Sequence, residues 1–168
     1  MYPVRLGYKA AISRINKLIK NGHYPEALVT SMFTVEKTLR RTLRQIVVSA
    51  GFASKQADKI VAHLKGLDAV KNSWEIYEPN NKKLTELIPQ EDWKQFKEAA
   101  TMRNKMIHGE RVYELETCKN EAVKVLAALD KLKTNFDVTY GYSGWETYSK
   151  RIKSQLHSDP KVKISQED

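Results

Sequence analysis

From Leu28 to Ile46 an apolar residue returns every three or four positions: Leu28, Met32, Val35, Leu39, Leu43 and Ile46. That spacing gathers all six on one stripe of an α-helix, whereas a strand would scatter them over both faces. Val29, Phe33 and Val47 flank the stripe. A surface so apolar must be covered by other elements, and the rest of the chain supplies helices to cover it.

The first helix is expected from Gly7 to Lys20, with Ile12, Ile15, Leu18 and Ile19 on one face and Asn21-Gly22 as its stop. The second runs from Pro25, a residue suited to a first helical turn, to Ala50. Ser54 is placed to cap a third helix reaching Leu64, which carries Ala57, Ile60, Val61 and Leu64. Gly66 interrupts it. A short continuation from Asp68 to Tyr77 ends in the loop Glu78-Pro79-Asn80-Asn81. A helical piece spans Leu84 to Ile88. Pro89 opens a helix that ends at His108, with Gly109 as its stop. The last long helix is expected from Leu115 to Phe136, with Ala122, Val123, Val125, Leu126, Leu129 and Leu132.

At Asp137 the character changes. Residues 137–168 read as a C-terminal extension: an aromatic, glycine-rich stretch from Tyr140 to Trp145, a short helix from Glu146 to Leu156, and a polar, disordered end from His157. Residues 1–136 are long enough for one compact domain. Four long amphipathic helices with short connections, and no sustained alternation, predict an all-α bundle of four to five main helices.

Lys and Arg number 29 against 20 Asp and Glu, a formal net charge of +9. Such an excess favours an anionic partner, nucleic acid first, although a solvated basic surface has the same composition. The single cysteine, Cys118, forms no internal disulfide and is expected to be inert. No signal-peptide pattern and no membrane-length apolar run occur, which predicts a cytoplasmic protein.

Two charges stand where apolar residues belong. On a helical wheel Trp93, Phe96, Ala99, Ala100, Met106 and Ile107 share an arc, and Arg103 falls inside it. Glu36 sits between the Leu28–Ile46 stripe and its flank. A buried unpaired charge costs several kcal/mol, so Arg103 and Glu36 are expected to pair. The pair either fixes helix packing alone, or holds a guanidinium as an oriented phosphate clamp.

Around Arg103 the chain reads Arg103-Asn104-Lys105-Met106-Ile107-His108-Gly109. Asn104 and His108, four apart, share the shoulder beside Arg103. Histidine is the side chain type that titrates near neutrality, so His108 is the candidate proton-transfer group. A cationic histidine is also simply favourable at a helix C-terminus. His23, His63 and His157 have no partner pattern and read as surface residues. No zinc-ligand spacing, phosphate-binding glycine loop or dinucleotide fingerprint is present, so no cofactor is expected. Arg40, Arg41 and Arg44 form a basic patch on the second helix, and Lys94, Lys97 and Lys105 stand near the motif. They are candidates for phosphate contact or for solubility alone. Tyr140, Tyr142, Trp145 and Tyr148 either stack on unpaired bases or pack the extension onto the bundle.

The R-N-x-x-x-H string closing a helix, with Glu36-Lys37-Thr38-Leu39-Arg40 in a long second helix, resembles the HEPN superfamily over residues 8–136. The resemblance implies metal-independent RNA cleavage, with Arg103 and His108 of two chains meeting across a two-fold axis and Glu36 as the second-helix carboxylate. By that analogy Arg103 stabilises phosphate charge, while Asn104 orients the phosphate or the imidazole. It further implies a role in defence, stress or toxin–antitoxin biology. One branch pairs with an antitoxin nucleotidyltransferase that modifies a tyrosine two residues after the motif histidine. Here that position is Glu110, and the next tyrosine is Tyr113. The superfamily also holds members that bind RNA or nucleotide without cutting. A helical dimeric interaction protein is the third reading the residues allow.

Overall fold

The computed structural model describes residues 7–146. Among them seven helices follow one another: α1 (Tyr8–Lys20), α2 (Tyr24–Ser49), α3 (Ser54–His63), α4 (Gly66–Tyr77), α5 (Leu84–Leu87), α6 (Gln90–Ile107) and α7 (Leu115–Tyr140). No strand occurs among the described residues. The fold is the all-α bundle that the periodicity predicts. The helix expected from Glu146 to Leu156, the polar end, Tyr148 and His157 lie outside the described residues.

α2 is the axis of the bundle and packs against α1, α3, α4, α6 and α7. All six stripe residues from Leu28 to Ile46 are fully buried. α7 supplies the facing row, with Ala122, Val125, Leu129, Leu132 and Phe136. Burial of each larger aliphatic side chain here is worth about 1.5–3 kcal/mol, so the α2–α7 contact dominates stability. Val123, expected in that row, is instead half exposed on the outer face of α7.

Three boundaries depart from expectation. Ala53 rather than Ser54 occupies the cap position of α3, and Gln56 Oε1 accepts the Ala53 N–H at 3.2 Å. Gly66 does not only interrupt: at φ +74° it is the first residue of α4, a conformation open to glycine. α7 continues past Phe136 because Tyr140, one turn on, is also buried and extends the inward row. Gly141, at φ +63°, ends it. Trp74 stacks on Phe136 at 5.2 Å, and its Nε1 donates to the Tyr140 hydroxyl at 3.2 Å. The buried Glu78 carboxylate then accepts the Asn80 and Lys82 N–H groups, fixing the loop after α4.

The aromatic stretch packs on α2. Tyr142 and Ser143 are buried, and Trp145 Nε1 donates to Thr38 Oγ1 at 2.9 Å. Gly144, at φ +87°, lies so close to α2 that a Cβ there would sit 2.8 Å from Arg41 Cβ and 3.2 Å from the Thr38 carbonyl oxygen. Gly144→Ala is expected to lower stability by about 1–3 kcal/mol through strain and that clash. A chemical-denaturation midpoint unchanged by the substitution would mean that this stretch does not stabilise the bundle.

Candidate functional site

Pro89 stands at the N-cap of α6, and Glu91 and Asp92 in its first turn suit the positive end of the helix dipole. Trp93, Phe96 and Ala99 then turn inward. Arg103 continues their row and is 9% exposed. Its Nη1 donates to Glu36 Oε1 of α2 at 2.8 Å. Asn104 completes the grip, since its Oδ1 accepts from Arg103 Nε at 3.1 Å and from Nη2 at 2.9 Å. The exposed-edge ring of Phe33 lies 5.5 Å from the guanidinium carbon. Nη1 and Nη2 each keep an N–H beyond these contacts.

This grip opens onto a cleft of about 220 Å³ between α2, α6 and the start of α4. Glu36, Arg103 and Asn104 line it with Lys65, Gly66 and Lys97. Lys97 pairs with Asp68, whose carboxyl is held below its usual range by that hydrogen bond and by Lys71. The sequence did not point to Lys65 or to the α4 terminus, because a lone glycine between two helical patterns reads only as a break. Asp68 also lines the cleft, so two carboxylates offset part of the charge of Lys65, Lys97 and Arg103, and the positive end of α4 tips the balance toward an anion.

His108 stands at the C-cap of α6, and its backbone N–H donates to the Asn104 carbonyl at 3.0 Å. Its side chain is exposed. His108 does not line the Arg103 cleft, and no hydrogen bond or ion pair joins the two side chains among the described residues. Glu110 and Arg111 N–H groups fold back onto the Lys105 carbonyl at 2.8 and 3.2 Å, closing the turn after His108. Met106 Sδ is 3.9 Å from Cys118 Sγ of α7. Ile107, about 100° further round the helix, therefore points outward and is half exposed, although the wheel put it in the buried arc. Cys118 is buried, and burial pushes its thiol up, away from the reactive thiolate.

Of the basic residues, Arg40 spends its guanidinium on the Val61 and Leu64 carbonyls at 3.0 and 2.7 Å, closing the end of α3. Arg44 pairs with Asp58, and Arg41 lies against Gly144 and Tyr142. The expected patch is thus largely committed to holding α3 and the C-terminal stretch on α2. Lys94 reaches Glu98 at 3.8 Å on the outer face of α6, and Lys105 is half-buried near the motif. His23 and His63 are exposed. Among the described residues no three His, Cys, Asp or Glu side chains converge as metal ligands, and no helix is long and apolar enough to cross a membrane. No family model, no curated protein and no solved structure matches the chain.

Proposed function

We propose that this chain is a metal-independent endoribonuclease of the HEPN type. The observation that carries the reading is the Arg103 guanidinium, held by Glu36 and Asn104 with N–H groups left over, about a turn and a half before an exposed His108 whose side chain has no hydrogen bond or ion pair among the described residues. A rigid guanidinium is suited to a phosphate, and a free imidazole to moving its proton.

In the reaction a base removes the proton of a ribose 2′-hydroxyl, and the oxygen attacks the adjacent phosphorus. The P–O5′ bond breaks, and the departing oxygen takes a proton from the conjugate acid. The products are a 2′,3′-cyclic phosphate and a 5′-hydroxyl. Arg103 stabilises the charge on the non-bridging oxygens. Asn104 orients Arg103 through its carbonyl oxygen, and its Nδ2 amide group is left to donate to the phosphate. His108 moves the protons. Since His108 lies outside the cleft of its own chain, a second copy brings the two groups together across a two-fold axis. Phe33 beside Arg103 and Ile107 beside His108 are exposed apolar surface that such a copy would cover. A defence or toxin–antitoxin role, and an antitoxin partner, belong to this reading.

Purified protein incubated with a synthetic RNA and excess chelator is expected to give fragments ending in cyclic phosphate, while the all-deoxy strand stays whole. Cleavage of the DNA, or loss of activity with chelator, overturns the mechanism. The separation of His108 from the cleft favours one second reading, a module that binds RNA ends without cutting. Salt-sensitive binding with no fragments supports that reading instead.

A further inference from the structure

α1 and α7 leave a groove of about 700 Å³, apart from the Arg103 cleft and sharing no lining residue with it. Its floor is Ile12, Leu126 and Ala127, and its rim carries Lys9, Lys17 and Lys20. The α1 residues recur at helical spacing, so one face of α1 forms a whole wall. α7 contributes a single carboxylate, Asp130. Some lysines elsewhere answer acids: Lys97 meets Asp68, Lys124 meets Glu121, and Lys131 meets Asp92. Lys9, Lys17 and Lys20 have no ion-pair partner among the described residues. Val123, one turn before Ala127 and half exposed, carries the apolar strip further along α7.

We propose that this groove is the docking site for an acidic amphipathic α-helix of a partner protein. Lys9 to Lys20 spans about 16 Å of helix, roughly three turns, which matches a short helical segment lying lengthwise. Small side chains at Ser13 and Ala127 let a helix backbone approach both walls. An apolar floor inside a charged rim is the anatomy of a helix-in-groove interface. Charge complementarity fixes the sign of the occupant: carboxylates of the incoming helix meet the three unanswered lysines, and its apolar stripe meets Ile12 and Leu126. A nucleic acid would meet the same lysines but gain nothing from the floor. Tyr8, the ring at the end of the groove, is already engaged edge-on by Trp145 at 5.5 Å.

The test is a displayed library of helical peptides of about four turns, selected on the full chain and then measured on variants. Enriched peptides are expected to carry an apolar stripe at i, i+3/4 and i+7 flanked by Asp and Glu. Their binding is expected to weaken about tenfold or more when Lys9, Lys17 and Lys20 are all changed to Glu, and likewise with Ala127→Arg, which fills the floor. The substituted side chains are exposed, and circular dichroism of the variants checks that the fold is kept. Three results overturn the proposal: enrichment of neutral or basic peptides, enriched peptides that bind the triple variant equally well, or no groove-dependent binder at all. Binding of a short single-stranded RNA that competes with the peptides and falls by the same factor in the triple variant also overturns it, by making the rim a nucleic-acid surface.

Discussion

His108→Ala is expected to lower RNA cleavage by about 10²–10⁴-fold, the usual contribution of a positioned acid–base group. Stability should change by less than about 0.5 kcal/mol, as for other exposed positions. The two effects separate because His108 holds the end of α6 through its backbone alone. That N–H donates to the Asn104 carbonyl, and alanine keeps the bond. The exposed imidazole makes no contact that the fold needs. The same pair of measurements decides between the two roles open to a histidine at a helix end. If cleavage persists while about 0.3–1 kcal/mol of stability is lost at mildly acidic pH, His108 serves the helix dipole and not the reaction.

The inward rows of this bundle are legible in the sequence, and so is the site's central contact. Leu28 through Ile46 repeat at helical spacing and are all buried. Arg103 and Glu36 each interrupt an apolar arc with opposite charge, and they pair at 2.8 Å. A periodic pattern reports which way a side chain points. It is silent on which neighbour the side chain meets. Arg40 shows this: its partners Val61 and Leu64 lie on α3, and only the packing of α3 on α2 brings their carbonyls within reach. Asn104 shows it at closer range. Its sequence position predicts a polar group on the shoulder of α6, yet its partner is the adjacent Arg103, whose guanidinium also donates to Glu36. The α4 terminus joins the cleft for a similar reason, since Gly66 can break a helix or begin one. Tyr140 reads as part of the extension because the character changes at Asp137 and an aromatic, glycine-rich stretch begins at Tyr140, yet Asp137 and Thr139 only mark the outer face of α7. Those side chains face outward while Phe136 and Tyr140 keep the inward spacing.

Arg103→Ala is expected to reduce cleavage by about 10²–10³-fold, the loss typical of one charge-stabilising donor. It should also cost about 1–3 kcal/mol of stability, because Glu36 is left as a poorly solvated acceptor with no donor. The Glu36 side chain is 23% exposed and relaxes partly toward water, which keeps the cost below that of a fully buried broken pair. Loss of activity in this variant alone would therefore not distinguish chemistry from unfolding. The double variant Arg103→Met with Glu36→Leu makes the distinction. It removes both charges and places apolar atoms beside Phe33, an exchange that is commonly neutral or stabilising. Urea midpoints and RNA cleavage measured on the same samples are expected to diverge, with stability within about 1 kcal/mol of the parent chain and cleavage still absent. Recovery of cleavage along with stability would make Arg103 a packing residue and remove the phosphate clamp. A double variant no more stable than Arg103→Ala would mean that the Glu36 contact is not what the single substitution breaks. The nuclease reading requires that the guanidinium matter to RNA after the bundle has ceased to need it.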